Sequence, residues 1–285
     1  MKKLTYILII FTFILSYGIT FSYLPLKADT KDELIEGNKN IKLNILTYNR
    51  DIYDLVKLLI GDRHNINYIE NDNISLDNTD FKKNIIESNL FIYNANENSN
   101  LIKEINKLID ASKTNLINIS RGIRPIIDYN LENKKSLNYL LGINEYKIAL
   151  YNIKSGIQEK DFNNRNYYEE RYNEISKEMD KFIIETKEEL NKYDDYLILT
   201  NTNVFDYLFR DLNLKVKKIE EIENNEDLKE KNVVFIYSNY NTIENIKEEY
   251  NLKCDYIELN YSNSYDSLIN NINLIIDGIK SSINS

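Results

Sequence analysis

Apolar positions along the chain recur at two spacings, and the change from one to the other marks its elements. Residues 42–47 alternate and predict a strand, while within 52–60 Ile52, Leu55, Val56 and Leu59 share one helical face that ends at Gly61. Residues 65–69, 90–93 and 116–119 predict further strands, and 81–87 and 101–109 predict helices between them. Strand and helix units of this length imply a parallel sheet covered by helices on both faces.

The middle of the chain differs. Residues 162–192 contain no Gly or Pro, and Tyr168, Tyr172, Ile175, Met179, Phe182 and Leu190 recur at helical spacing among alternating charges. A helix of about thirty residues is about 45 Å long, too long for one small lobe, so it is expected to run along two. A second series follows, with strands at 196–199, 233–237 and 256–259 and helices at 204–211, 243–250 and 266–283. The predicted fold is α/β: two lobes (41–160 and 193–285), each a mostly parallel sheet with flanking helices, joined by one long rigid helix (161–192). Ligands of open sheets bind at the carboxyl ends of the strands, which here places them in a cleft between the lobes.

The N-terminus adds an address. Lys2 and Lys3 precede an apolar run that reaches about Leu26 and is followed by polar residues 29–40, the pattern of a secretory signal. Cleavage after Ala28 and retention as an uncleaved membrane anchor are both open. No cysteine stands near the end of that run, which rules out lipid attachment to a new N-terminal Cys.

Charge and composition then narrow the function. The formal charge is −9, and since residues 1–28 carry three lysines and no acid, the remainder stands at −12. Basic residues are interleaved with acids throughout, so neither nucleic acid nor an anionic membrane surface is an expected partner. Cys254 is the single cysteine, which excludes an intrachain disulfide and a cysteine-rich metal knuckle. The abundance of Asn, Ile, Lys and Tyr reads as compositional bias, with no structural role assigned to the asparagines. Catalysis is not expected: there is one His, no Gly-rich phosphate loop and no nucleophile with a base beside it in the pattern.

Several segments are similar to the solute-binding proteins of zinc and manganese ABC transporters. Leu46-Thr47-Tyr48, Tyr53-Asp54-Leu55-Val56 and Gly61-Asp62-Arg63 resemble that family's first strand, helix and turn. Asn89-Leu90-Phe91-Ile92-Tyr93-Asn94 resembles its next lobe-building strand, and Thr200, Phe205, Tyr207 and Leu208 resemble the opening of its C-terminal lobe. The resemblance spans residues 41–282 and implies a rigid interlobe helix, an ABC permease as membrane partner, and a metal held in the cleft by histidines and one acidic residue.

At the positions matching those ligands this chain departs from the family. The first falls near Asp72, the second on Asn138, the third on Thr202 beside Asn203, and the acidic one among Asn263, Ser264 and Asp266. Amide and hydroxyl oxygens are weak donors for zinc, so no intact metal site is expected; oxygen donors leave room for a harder cation such as manganese or calcium. His64 is expected to be a solvated turn residue, and the acids between Glu220 and Glu230 a solvated face. The expected function is extracytoplasmic solute binding with a degenerate metal cleft. The alternative is a surface-exposed adhesion or interaction protein that uses the same scaffold to bind a host or surface protein.

Overall fold

The computed structural model describes residues 42–284 except 70–78, 96–99, 129–133, 194–195, 223–231, 239–242, 245–246, 248–251 and 253. Residues Lys42–Ser285 make one compact unit. The N-terminal sheet comprises β1 (Asn44–Thr47), β2 (Asn65–Tyr68), β3 (Leu90–Tyr93) and β4 (Asn115–Asn118), all parallel in the order β2-β1-β3-β4. Helices α1 (Arg50–Ile60), α2 (Thr79–Glu87) and α3 (Asn100–Leu108) cross between the strands. A short antiparallel pair, β5 (Ile127–Asp128) and β6 (Lys134–Lys135), precedes the long α4 (Ile143–Lys160).

After a 3-10 turn at Phe162–Asn164 comes α5 (Arg165–Leu190), whose 26 residues span about 39 Å. The predicted helix at 162–192 is therefore helical throughout most of its length but opens with a tighter turn. The second sheet contains β7 (Tyr196–Thr200), β8 (Val216–Lys218), β9 (Asn232–Ser238) and β10 (Asp255–Leu259), again all parallel, in the order β10-β9-β7-β8. Helix α6 (Asp206–Leu212) links β7 to β8, and α7 (Tyr265–Asn284) closes the chain. Most of the helix expected at 243–250 lies outside the described residues.

Local chemistry explains the elements that frame the cleft. In α1 the expected apolar face is fully buried, the Asn49 side chain accepts from Ile52 N at 3.0 Å as the N-cap, and Gly61 ends the helix at φ 59°, where a side chain would be strained. Three asparagines at the opposite end of the strands form a row. Asn65 Nδ2 donates to Asn44 Oδ1 at 3.0 Å and the Asn44 backbone N–H donates to Asn89 Oδ1 at 2.8 Å, a structural role that composition did not suggest.

Helix α4 was not read from the sequence. It buries Ile143, Tyr146, Ala149, Leu150, Ile153 and Ile157, but also Glu145 and Lys154, and these two charges blur its amphipathic pattern. Lys154 Nζ meets Glu169 at 2.8 Å and lies over the rings of Tyr151 and Tyr172, so its charge is compensated. At its N-terminus Gly142 supplies no capping side chain. Asp211 of α6 caps the helix instead, accepting from Asn144 N at 3.0 Å and from Asn144 Nδ2 at 2.9 Å. A Cβ on Gly142 would come within 2.7 Å of Tyr207, so glycine is what lets the two segments meet. Arg210 joins Asp211 (2.7 Å) to Glu145 (2.6 Å), and burial pushes the Glu145 carboxyl up while Arg210 opposes that shift.

His64 corrects the expectation of a solvated turn: it is 6% exposed. Its Nδ1 accepts from Leu43 N at 3.3 Å, which leaves the proton on Nε2, 2.7 Å from Tyr168 Oη and 3.2 Å from Asp161. Tyr168 in turn donates to Asp161 at 2.5 Å. The turn is polar in sequence, but the ring is directed inward against the start of α5.

Two outcomes follow from these contacts. Asp211→Ala removes a buried carboxylate that serves Asn144 and Arg210 together, and urea unfolding is expected to register a loss of about 2–3 kcal/mol, with an effect below about 0.5 kcal/mol contradicting the capping role. Burial, opposed by Asp161, holds the His64 pKa below its ordinary 6.5. The unfolded chain therefore binds the proton more tightly, and the stability His64 contributes is present above pH 6.5 and lost as the pH falls through the folded-state value. The thermal midpoint is expected to fall between about pH 7 and 5 more steeply than that of His64→Gln; parallel curves would refute this.

Candidate functional site

The carboxyl ends of β1 and β10 and the segment before α4 converge between the lobes. Thr47 at the end of β1 is fully buried, its hydroxyl donating to Asn49 O at 3.1 Å, and this turns the chain into α1. Asp51, in the first turn of α1, receives the Asn263 side-chain amide at 2.6 Å from the loop after β10. An acid in the first helical turn also suits the helix dipole, so Asp51 is held by its own helix and reaches the other lobe.

Two residues before Asn263, Tyr261 donates through its hydroxyl to Asn138 Oδ1 at 2.9 Å. Asn138 directly precedes the 3-10 helix Tyr139–Leu141, whose side chains are buried. The segment leading to it is fixed from the C-terminal lobe. Tyr207 of α6 accepts from Ile126 N at 3.0 Å and donates to Ser136 O at 3.1 Å, and burial raises its phenol pKa. Two of the four expected ligand positions, Asn138 and Asn263, are thus brought to one place and tied to side chains across the cleft.

The other positions behave differently. The Thr202 hydroxyl accepts from Val204 N at 3.2 Å and closes the turn after β7, while its carbonyl accepts from the Lys218 ammonium, which also meets Asp206 at 3.2 Å. Asn203 O accepts from Asp206 N at 3.4 Å at the start of α6. Asp266 is exposed in the first turn of α7, and Asp72 lies outside the described residues, as does most of the acidic stretch between Glu220 and Glu230. The buried Oδ1 atoms of Asn201 and Asn263 have no hydrogen-bond partner among the described residues.

Chemically, this is a cleft of amides, hydroxyls and one carboxylate. No group of three or more His, Cys, Asp or Glu placed to hold a metal ion occurs among the described residues. Zinc favours imidazole nitrogen and thiolate, and the sole imidazole is committed to Tyr168 and Asp161. Asp51 and Tyr261 were not singled out from sequence. Asp51 looks like an ordinary first-turn acid, and its partner is 212 residues away. Among the described residues no helix is long and apolar enough to cross a membrane.

Solved structures share this architecture. The periplasmic metal-binding protein from candidatus Liberibacter asiaticus superposes with a TM-score of 0.67 at 16% identity, covering 82% of this chain and 98% of that one. Its Mn-bound form gives 0.66 at 16% identity over the same shares. The metal-dependent lipoprotein YcdH from Bacillus subtilis gives 0.65 at 18% identity, covering 83% of this chain and 99% of that one. At such identities the likeness is one of fold. No curated protein sequence matches the chain significantly. The family profile described as zinc-uptake complex component A, periplasmic, matches residues 45–253, and with most of its length so matched the chain belongs to this ZnuA family of solute-binding proteins.

Proposed function

We propose that this chain is the extracytoplasmic solute-binding component of an ABC importer, and that its cleft does not hold zinc through the positions the family uses. The observation that carries this reading is the pairing of Asn138 with Tyr261 and of Asn263 with Asp51, which commits two of those positions to hydrogen bonds between the lobes. The N-terminal signal-like segment and the family's export support the location, and a membrane permease is the proposed partner. The open amide oxygens of Asn201 and Asn263 favour a polar solute that donates hydrogen bonds. Its role is binding and delivery rather than catalysis.

Thermal unfolding tests the metal question, because a ligand that binds only the folded state raises the midpoint by mass action. After treatment with a chelator the protein is expected to show no rise with zinc, and at most a small one with manganese or calcium. A rise of about 5 °C or more with zinc at about 100 μM would overturn the proposal.

Restoring donors gives the converse measurement. The triple substitution Asn138→His, Thr202→His and Asn263→Asp supplies two imidazoles and a carboxylate, and is expected to create a zinc-dependent rise of about 5 °C at saturating metal. An unresponsive but folded triple variant would show that these three positions do not converge.

A further inference from the structure

A cavity of about 730 Å3 opens beside the paired cleft residues, where α1, α5 and the start of α7 meet over α4. That volume lies within the range of about 300–1,000 Å3 typical of small-molecule sites. Its walls include the rings of Tyr146, Tyr167 and Tyr265, and its acids include Asp54 from α1 and Asp266 from α7. The rings of Tyr146 and Tyr265 stand 6.3 Å apart at 48°, forming an aromatic corner.

Tyr146 gives this cavity a polar group beside its aromatic wall. It is 1% exposed and lines the cavity, and its hydroxyl makes no hydrogen bond among the described residues. Burial, followed by the charge of Asp54, the neighbouring Tyr265 and then Asp266 and Asp51, raises its pKa, so the hydroxyl stays neutral. The hydroxyl is not among the fully enclosed unpartnered atoms, so it reaches the cavity, where a ligand group can bond to it.

Charge decides the class of ligand. Two cations line the cavity, and both are committed: Lys57 to Asp62, and Arg171 to Leu58 O at 3.2 Å and Glu174 at 3.3 Å. Among the described residues no cation pairs with Asp266, and Asp54 meets only the exposed Arg50, at 3.1 Å. Aromatic faces, a free carboxylate and a hydroxyl acceptor together suit a positively charged nitrogen attached to carbon.

We infer that this cavity binds an organic ammonium ion, its charge facing Asp266 and Asp54, its N–H groups bonded to Tyr146 and its carbon chain against the tyrosine rings. The site draws on both lobes and the helix between them, so an occupant there holds their arrangement. The cavity shares Ser264 and Asp266 with the positions matched to the family's acidic ligand, so amine and metal binding are measured separately.

Calorimetric titration of the metal-free protein, purified whole from an exporting host, tests this with spermidine and ethanolamine as probes and glutarate as an anionic control. At least one amine is expected to bind and glutarate not to. Asp266→Asn is expected to weaken amine binding by about tenfold, because it removes the unpaired charge. Tyr146→Phe keeps the ring and its packing, and is expected to weaken binding several-fold without lowering the thermal midpoint. Absence of heat with both amines at millimolar concentration, equal binding of glutarate, or unchanged affinity in both variants would each overturn the inference. Ser264 and Asp266 also fall among the positions matched to the family's acidic ligand, so Asp266→Asn is titrated with zinc as well as amine: loss of amine binding with unchanged zinc behaviour supports the inference, and a change in zinc behaviour alone overturns it.

Discussion

The architecture depends on a helix whose two ends are fixed by other parts of the chain. Helix α4 is capped at its start by Asp211 of α6, and its last turn leads into Asp161, which receives Tyr168 of α5 and lies beside His64. Between those ends it buries six apolar side chains against β4, α1 and α5. Orphan amides at a helix start need partners, and here the partner comes from the opposite lobe, so completing one helix positions the other lobe. Tyr207, one turn before Asp211 on α6, uses the same docking to hold the segment that carries Asn138.

Much of this order was legible in the sequence. The strands are short apolar runs bounded by Asn and Asp, and β3 was found to the residue; α1 and α5 repeat their apolar positions at helical spacing without interruption. What escaped was set by partners far along the chain. Helix α4 hides Glu145 and Lys154 on its buried face, and only the positions of Arg210 and Glu169 explain why charges are tolerated there. His64 reads as a turn residue until Tyr168, 104 positions later, is seen to receive its Nε2 proton. β8, at three residues, is too short to show an alternation.

The candidate site was legible as a set of positions but not as an arrangement. Alignment by resemblance brought Asn138 and Asn263 forward, and the structure joins each to a residue of the other lobe. It could not supply Asp51 or Tyr261, whose significance rests on what they touch. Thr202 also gained a structural role, because its hydroxyl accepts from Val204 N and closes the turn after β7. Under the proposed reading, amides at those positions recognise a solute by hydrogen bonding where the family coordinates a metal.

The larger of two hydrophobic clusters among the described residues runs from Leu43 to Ile279, through both sheets and the helices between them. Only a small cluster of Leu197, Leu199, Ile219, Val233, Phe235 and Ile243 belongs to the C-terminal lobe alone; the rest of both interiors is shared. Close-packed walls move as blocks or not at all, and a block motion here would tear apolar contacts shared by the two halves. A shared interior of this kind favours small motions of the loops at the strand ends over a wide swing of one lobe.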